Sequence, residues 1–209
     1  MQVEIWSDIM CPFCYIGKRK FEAALDKFPG KEEVKIIWKS YQLDPNIKEQ
    51  PGKDIYSYLA EAKGQSLEWS KKMHENVVNM AKSVGLEYNF DKAVVANSFD
   101  AHRVIQLAKK HGLGDAIEER LFKAYFTEGK NFADHETLAA IGEEIGLDRA
   151  EILQLLATNA MADNVHSDIE EGRRLGLQGV PFFVFNRKIG VAGAQDSEIF
   201  LQALEEASK

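Results

Sequence analysis

Two cysteines three positions apart constrain this chain more than any other feature. Cys11 and Cys14 are its only cysteines, with a Pro-Phe dipeptide between them. Residues 2–7 predict a strand before them, and the apolar pattern after them predicts a helix from Cys11 to about Phe28. Because Cys11 then stands at a helix N-terminus, the local pattern indicates a redox-active pair of thiols.

The chemistry of such a pair assigns different roles to its two members. Disulfide exchange needs a thiolate that attacks and a second thiol that resolves the mixed disulfide. The unpaired N–H groups at a helix start favour a thiolate, and Pro12 suits the first helical position because its missing N–H costs nothing there. We therefore predict that Cys11 is the nucleophile. Cys14, one turn further in, is predicted to be the resolving thiol.

Three other interpretations of the cysteine pair compete with this one. A structural zinc site needs about four ligands, and the five histidines of the chain form no pair with the usual metal-ligand spacing. A structural disulfide closing so short a loop would constrain the unfolded chain little. Two unrelated buried cysteines are the third interpretation. No metal site is predicted.

A second motif lies far along the chain, at Val180-Pro181. The run at 180–185 is apolar on both faces, which predicts a buried central strand. A proline entering such a strand removes a ladder donor. A cis peptide before Pro181 would account for it, and a trans proline at the first strand position is the alternative. Val180, Pro12 and Phe13 are the predicted substrate-binding residues, with the Val180 backbone offering a strand-like edge to an extended peptide.

The order of the predicted elements indicates one α/β fold interrupted by helices. A β-α-β unit is followed from about Ile55 to Leu175 by helical patterns, and strands at 180–185 and 188–192 precede a final helix beginning at Asp196. We predict a discontinuous domain of residues 1–50 and 176–209, and a helical insertion domain of residues 51–175. Neither flank completes a sheet alone.

Local signals place individual helices within the insertion. Met73, Val77, Met80 and Val84 have helical spacing, which predicts one buried face. Two Asp-x-x-Glu runs, beginning at Asp115 and Asp148, resemble capping boxes and predict helix starts.

Composition excludes some classes of function. The 209 residues are 45% apolar with a formal charge of −7 and no basic block, which argues against nucleic-acid binding. No run approaches the roughly 18 apolar residues of a membrane span, so no membrane partner is expected. The N-terminus lacks the features of a secretory signal, and we expect a cytoplasmic location. Oligomeric state is not predicted.

Four stretches together resemble a known family, the DsbA-like thiol–disulfide oxidoreductases, and most closely their cytosolic FrnE-like branch. They are residues 7–17 (SDIMCPFCYIG), 97–103 (NSFDAHR), 179–183 (GVPFF) and 193–195 (GAQ). The resemblance implies a thioredoxin-like core (βαβ…ββα) with a large all-helical insertion. It implies Cys11 as nucleophile, Cys14 as resolving cysteine and Pro181 as the cis-proline.

The resemblance also implies which partners the chain binds and whether it needs a cofactor. The expected partners are thiol or disulfide substrate proteins or low-molecular-weight thiols. No cofactor is expected beyond the redox-active Cys11–Cys14 disulfide, with glutathione or another thiol as a co-substrate. The Pro-Phe dipeptide departs from the Pro-His of well-studied members, which leaves oxidase, reductase and isomerase directions open.

Three further residues are weaker site candidates. Asn97 is either a substrate contact or the N-cap of a helix. His102, one turn later, either faces the cleft, as a proton shuttle or substrate contact, or is a packed or surface histidine. Asp8, three residues before Cys11, either relays a proton near the thiols or forms a turn.

Two other functions are compatible with the same motifs. One is a glutathione-dependent transferase or isomerase of the kappa or 2-hydroxychromene-2-carboxylate isomerase type, whose members usually carry serine at the position of Cys11. The other is a non-catalytic binding protein whose thiols are incidental. Glutathione binding without a dithiol cycle would favour the first, and a cysteine pair that does not exchange with glutathione would favour the second.

Overall fold

A four-stranded mixed sheet forms the centre of the molecule. The computed structural model describes residues 1–48 and 53–209. The strand order is β2-β1-β3-β4, with β1 at Gln2–Ser7, β2 at Lys35–Ser40, β3 at Phe182–Phe185 and β4 at Ile189–Ala192. Strands β1 and β2 are parallel, whereas β3 is antiparallel to both β1 and β4. The predicted central position of β3 is therefore confirmed.

The strands have the composition of a sheet covered on both faces. Val3, Ile5 and Trp6 of β1 are all at most 1% exposed, although Val3 and Ile5 lie on one face of the sheet and Trp6 on the other. The turn between β3 and β4 is the predicted Asn186-Arg187, and both residues have positive φ angles, 47° and 56°. Two consecutive residues with positive φ give the twist that a tight hairpin needs.

Nine α-helices surround this sheet within the described residues. Helix α1 connects β1 to β2, helices α2 to α8 all lie between β2 and β3, and α9 ends the chain. The bounds are α1 Pro12–Leu25, α2 Ile55–Lys63, α3 Leu67–Ser83, α4 Phe99–Lys110, α5 Gly114–Lys123, α6 His135–Glu144, α7 Arg149–Leu156, α8 Ala162–Arg174 and α9 Ser197–Ser208.

The two larger of three hydrophobic clusters form most of the core. Phe21 of α1, Phe183 of β3 and Phe200 of α9 pack together with ring centroids 4.5 to 5.9 Å apart, which fixes α1 and α9 on one face of the sheet. The larger cluster joins Ile9, Cys14 and Ile16 to side chains of the helical segment. The helical segment therefore packs directly against the end of the core that carries the cysteines.

A buried carboxylate fixes the helical segment to the sheet edge. Asp168 of α8 accepts hydrogen bonds from the Ser40 backbone N–H (3.0 Å) and the Gln106 amide (2.6 Å). Lys39 and Lys109 approach the same carboxylate at 3.0 and 3.3 Å. Hydrogen bonds to a charged group are stronger than neutral ones, so this one side chain ties α8 to β2 and α4.

The fold class is confirmed: the chain is a thioredoxin-like α/β core, βαβ followed by ββα, with an all-helical insertion. The last insertion helix, α8, ends at Arg174, close to the predicted boundary at 175/176. The other predicted boundary, between residues 50 and 51, lies outside the described residues. The division into two domains stays a prediction.

Some local predictions are wrong. Met80 is 39% exposed because the buried stripe of α3 runs through His74, Val77 and Ala81 instead. The helix start predicted at Asp115 is confirmed, because α5 begins at Gly114, but the capping role is wrong: Asp115 lies inside the first turn of α5, whose N-cap is Leu113. The Asp115 carboxylate instead accepts a hydrogen bond from the Trp38 indole at 3.0 Å. Asp148 does cap α7, accepting from two backbone N–H groups.

Candidate active site

The end of β1 and the start of α1 place Cys11 at a helix N-terminus. Strand β1 ends at Ser7, and the Asp8 carbonyl then accepts a hydrogen bond from the Cys11 N–H at 2.9 Å. Cys11 is the N-cap of α1 with an extended backbone, Pro12 is the first helical residue, and no side chain caps the helix. The positive end of the helix dipole is therefore free to act on the Cys11 sulfur.

The second thiol is in a different environment. Cys14 is 1% exposed, and both cysteines are free thiols. Burial raises the pKa of the Cys14 thiol well above its ordinary value, and the neighbouring Cys11 raises it further. The Asp8 main chain and the Ser7 hydroxyl lower it by smaller amounts. Cys14 is thus held as a protonated thiol one turn behind Cys11.

The Val180-Pro181 loop lies directly against the first cysteine. The Cys11 Sγ is 3.5 Å from the Val180 carbonyl oxygen, and the Val180–Pro181 peptide bond is cis. The Pro181 carbonyl in turn accepts a hydrogen bond from the Gly193 N–H at 2.8 Å. The fold therefore brings two motifs from opposite ends of the chain to one site.

A glycine in α1 makes this close approach possible. A Cβ atom on Gly17 would lie 3.1 Å from the Pro181 Cγ and 3.5 Å from Ala194. Glycine in the middle of a helix is otherwise unfavourable. A glycine within the amphipathic pattern of α1 is therefore the sequence signal for a close contact at Gly17, and we did not use this signal in our predictions.

An apolar cavity of about 450 Å³ opens beside the first cysteine. Pro12 and Phe13 line one wall, and the helical segment supplies the others. Leu43 at its rim is 51% exposed. The lining is mainly apolar or aromatic, with three polar residues: Met10, Cys11, Pro12, Phe13, Leu43, Ile55, Tyr58, Leu59, Ala62, Trp69, Met73, Val77, Phe90, Tyr125 and the polar Asp44, Lys63, His74.

Asp8 is completely buried behind the thiols. Its carboxylate accepts hydrogen bonds from the backbone N–H groups of Leu43 (2.7 Å) and Met10 (3.3 Å). The predicted turn-forming role is therefore observed. The same carboxylate has a second neighbour, the imidazole of His102, whose Nε2 lies 3.4 Å from Oδ1.

The structure places the other two weak candidates outside the lining of the cavity beside Cys11. His102 has no exposed surface, so its predicted role as a substrate contact is wrong because helix packing seals it from the cleft. Asn97 is not the N-cap of α4, which is Ser98. The Asn97 side-chain oxygen accepts hydrogen bonds from the Phe99 N–H and the Gln42 amide. Its amide nitrogen donates to the carbonyls of Pro45 and Ile47, so the side chain stabilises the loop after β2.

One residue of the helical segment contacts the cysteine motif without any signal in the sequence. The Tyr88 hydroxyl donates a hydrogen bond to the Pro12 carbonyl at 2.7 Å. The two residues are 76 positions apart, and only the tertiary fold brings them together. Tyr88 thereby fixes the carbonyl at the start of the active-site helix.

Two further observations bear on the class of site. Within residues 1–48 and 53–209, no three His, Cys, Asp or Glu side chains are grouped so that they could hold a metal ion. Among the described helices, none is long and apolar enough to cross a membrane.

Comparisons with known proteins give the same fold and several relatives. A solved structure, a probable DsbA oxidoreductase from Streptomyces coelicolor, is 38% identical with a TM-score of 0.94, covering 100% of this chain and 90% of that chain. The cytosolic disulfide reductase DsbM from Pseudomonas aeruginosa, also solved with GSH, is 18% identical with a TM-score of 0.67, covering 99% of this chain and 95% of that chain.

A protein of Bacillus subtilis, YwbO, which is described as uncharacterized, is 27% identical over 211 residues, covering 100% of this chain and 98% of that protein. The family model of the DSBA-like thioredoxin domain matches residues 2–205. This match includes the cysteine motif, the helical segment and the Val180-Pro181 loop. The chain belongs to the DsbA-like family of thioredoxin-fold thiol–disulfide oxidoreductases.

Proposed function

We propose that this chain is a dithiol–disulfide oxidoreductase in which Cys11 is the nucleophile and Cys14 the resolving thiol. One observation carries the proposal: Cys11 Sγ lies at an uncapped helix start, 3.5 Å from the Val180 carbonyl oxygen. A nucleophilic sulfur beside the backbone of a neighbouring loop is the arrangement that a disulfide in an extended peptide requires.

The proposed reaction has two steps. The Cys11 thiolate attacks one sulfur of a substrate disulfide, forming a mixed disulfide and releasing the other substrate sulfur as a thiolate. Cys14 then loses its proton and attacks Cys11 Sγ, which breaks the mixed disulfide and releases the second substrate thiolate. The substrate gains two electrons, and the Cys11–Cys14 pair loses two. A thiol such as glutathione is the proposed co-substrate that reduces the pair again.

The walls of the site favour disulfides that are flanked by apolar groups. Val180 offers its backbone as the edge on which an extended chain lies, with Pro181 fixing the loop. Across the thiol, Pro12 and Phe13 line the cavity, and Leu43 is exposed at its rim. An apolar side chain of a substrate protein that is buried in this cavity contributes about 25 cal/mol of favourable free energy per Å² of apolar area removed from water.

The test is reduction of a disulfide-linked fluorescent peptide by the purified protein with a thiol reductant. We expect Cys11→Ser to lose the activity and Cys14→Ser to accumulate a mixed disulfide visible by mass spectrometry. Ser83→Ala, an exposed serine at the end of α3, is the matched control and should retain full activity. If Cys11→Ser retains full activity, the proposal is wrong.

The direction of electron flow follows from the reduction potential of the Cys11–Cys14 pair, measured against glutathione buffers. Isomerase activity is part of the proposal and is measured by the recovery of scrambled ribonuclease. The cytosolic location and the FrnE-like branch stay predictions from the sequence. A glutathione transferase or isomerase would instead bind glutathione and keep its activity in the Cys14→Ser variant, so the same variants separate the two functions.

A further inference from the structure

The cavity beside Cys11 has few polar groups in its lining, and some of them are already engaged. The Asp44 carboxylate accepts a hydrogen bond from the Tyr58 hydroxyl at 2.8 Å, so these two groups satisfy each other. Lys63 is exposed in the last turn of α2, where water solvates its ammonium group. Two polar groups of the lining then remain without a partner, one on α3 and one in the segment that follows α5.

The first of these groups is a hydrogen-bond acceptor, the imidazole of His74. This side chain is 8% exposed, and its Nδ1 is 2.8 Å from the Ser70 backbone carbonyl oxygen. A carbonyl oxygen can only accept, so Nδ1 carries the ring proton and Nε2 keeps its lone pair. Burial lowers the pKa of the imidazole, which is therefore neutral near pH 7. Nε2 makes no hydrogen bond to another described residue, and it is not among the polar atoms that are completely enclosed.

Aromatic rings hold this imidazole in the cavity wall. Tyr56 and Phe90 contact it edge to face, with ring centroids 4.8 and 4.5 Å away. His74 lines both the cavity beside Cys11 and a second cavity of about 770 Å³. Of the two cavities, only the first is lined by a cysteine. A ligand there would contact the imidazole and the reactive thiol in one site.

The second group is a hydrogen-bond donor, the hydroxyl of Tyr125. This residue lines the same cavity, is 1% exposed and packs against Phe126 and Phe132 with ring centroids 4.8 and 5.0 Å away. Burial raises the pKa of the hydroxyl, which therefore keeps its proton. The hydroxyl makes no hydrogen bond to another described residue, and it is not completely enclosed. Because buried polar groups are nearly always paired, a donor and an acceptor in one cavity point to a polar group on the ligand.

We propose that the cavity binds an apolar group bearing a hydroxyl, carried next to the disulfide that Cys11 attacks, through His74 Nε2 and the Tyr125 hydroxyl. This inference rests on the proposed function and names its substrate class. A hydroxyl both donates and accepts, so it can pair with either residue or with both. The volume of about 450 Å³ is within the roughly 300–1,000 Å³ of small-ligand sites. The hydroxyl belongs either to a low-molecular-weight disulfide or to a tyrosine side chain beside a disulfide in a peptide.

A cavity without these two polar groups would make the opposite choice of substrate. A methyl group has nearly the size of a hydroxyl, and burial of one more apolar carbon favours the methyl compound by about fourfold in kcat/KM. Hydrogen bonds to the two groups should reverse this preference, because a site built around a substrate hydroxyl discriminates against the analogue that lacks it. The sign of the preference therefore distinguishes the proposal from simple apolar packing.

The experiment measures kcat/KM for two matched pairs of disulfides, reduced by the protein with a thiol reductant and followed by chromatography. One pair is diphenethyl disulfide with either a hydroxyl or a methyl group at each para position. The other pair is a peptide with tyrosine or phenylalanine next to the disulfide-linked cysteine. We expect the wild type to prefer the hydroxyl member of at least one pair by about fivefold. The pair that shows the preference identifies the source of the hydroxyl.

Variants of the two residues assign the preference to the cavity. Tyr125→Phe and His74→Leu should each remove most of it, whereas His74→Gln keeps an acceptor and should retain a preference for the hydroxyl. Each value is a ratio measured on one variant, so a change in the reactivity of Cys11 cancels. Tyr125→Phe preserves the ring packing and still decides if His74→Leu does not fold. His111→Gln, an exposed histidine at the end of α4, is the control and should keep the wild-type ratio.

Loss of the preference in one variant alone assigns the contact to that residue and supports the inference. The absence of a hydroxyl preference in both pairs, or a hydroxyl preference that is unchanged in both Tyr125→Phe and His74→Leu, would overturn it. Failure of the proposed function looks different: the wild type would reduce no member of either pair, or the reduction would survive in Cys11→Ser.

Discussion

Replacing Gly17 by alanine tests whether the packing of the Pro181 loop controls the reactivity of Cys11. The added Cβ would lie 3.1 Å from the Pro181 Cγ and 3.5 Å from the Ala194 Cα and Cβ. Carbon atoms in contact prefer about 3.5–4.0 Å, so the loop must move away from α1 by roughly 0.5 Å. Proline cannot rotate out of the way, because its ring is fixed to the backbone.

Two opposing effects determine the stability of this variant. Alanine gains about 1 kcal/mol over glycine in a helix interior, whereas overpacking a filled site costs about 1–3 kcal/mol. We therefore expect Gly17→Ala to lose about 0–2 kcal/mol of unfolding free energy in urea denaturation. A larger loss is expected for Gly17→Val, because its branched Cβ adds two more atoms against Pro181 and lowers helix propensity.

The effect on activity should exceed the effect on stability. The displaced loop carries the Val180 carbonyl that lies 3.5 Å from Cys11 Sγ. Since a misplacement of about 1 Å can cost a hundredfold in rate, we expect a roughly tenfold loss of kcat/KM for peptide disulfide reduction.

Gly179→Ala is the control for this variant. It lies on the same loop, and its added Cβ would meet nothing within 4 Å in the described structure. If Gly17→Ala were about 1 kcal/mol more stable than wild type and fully active, the loop would not be held by this contact.

Three further predictions concern other groups. Burial raises the pKa of Glu118 from 4.5 to about 8, so wild-type stability should fall as pH rises through this interval, and Glu118→Gln should remove that fall in urea titrations on either side of it. Arg103→Ala removes the donor to three backbone carbonyls, those of Leu155 at the end of α7 and of Thr158 and Ala160 in the turn that follows, and should cost about 3 kcal/mol of unfolding free energy with unchanged thiol chemistry; an unchanged denaturation midpoint would contradict this. In Cys11→Ser, the remaining thiol should alkylate with iodoacetamide far more slowly than a free cysteine peptide at pH 8, because burial raises the pKa of Cys14; equal rates would refute that assignment.

The core of the fold could be predicted because its signals are local. Each of three short patterns specifies one element within a few residues: the strand pattern at 2–7, the apolar run at 180–185 and the Asn-Arg turn. The cysteine motif adds a helix start. Such short-range patterns determine where elements begin and end, whereas the assembly of these elements into a thioredoxin-like core was implied by the family resemblance.

The wrong predictions share a physical reason. Asp115 and Asn97 both stand near helix starts, and acidic or amide side chains are favourable both at the N-cap and in its vicinity. Which position they occupy depends on tertiary contacts, here the Trp38 indole for Asp115 and the loop after β2 for Asn97. His102 shows the same limit, because its burial depends on packing against residues distant in sequence, among them Asp8, whose Oδ1 lies 3.4 Å from the His102 Nε2.

The two parts of the fold contribute different chemistry to the site. The thioredoxin-like core supplies Cys11, Cys14 and the Val180 carbonyl, which are the groups that the proposed reaction uses. The helical segment supplies the Tyr88 hydrogen bond to the Pro12 carbonyl, the imidazole beside Asp8 and most walls of the cavity. Changes in the core should therefore alter the first attack on every disulfide. Changes in the helices should leave attack on a small aromatic disulfide intact and alter the choice among larger substrates.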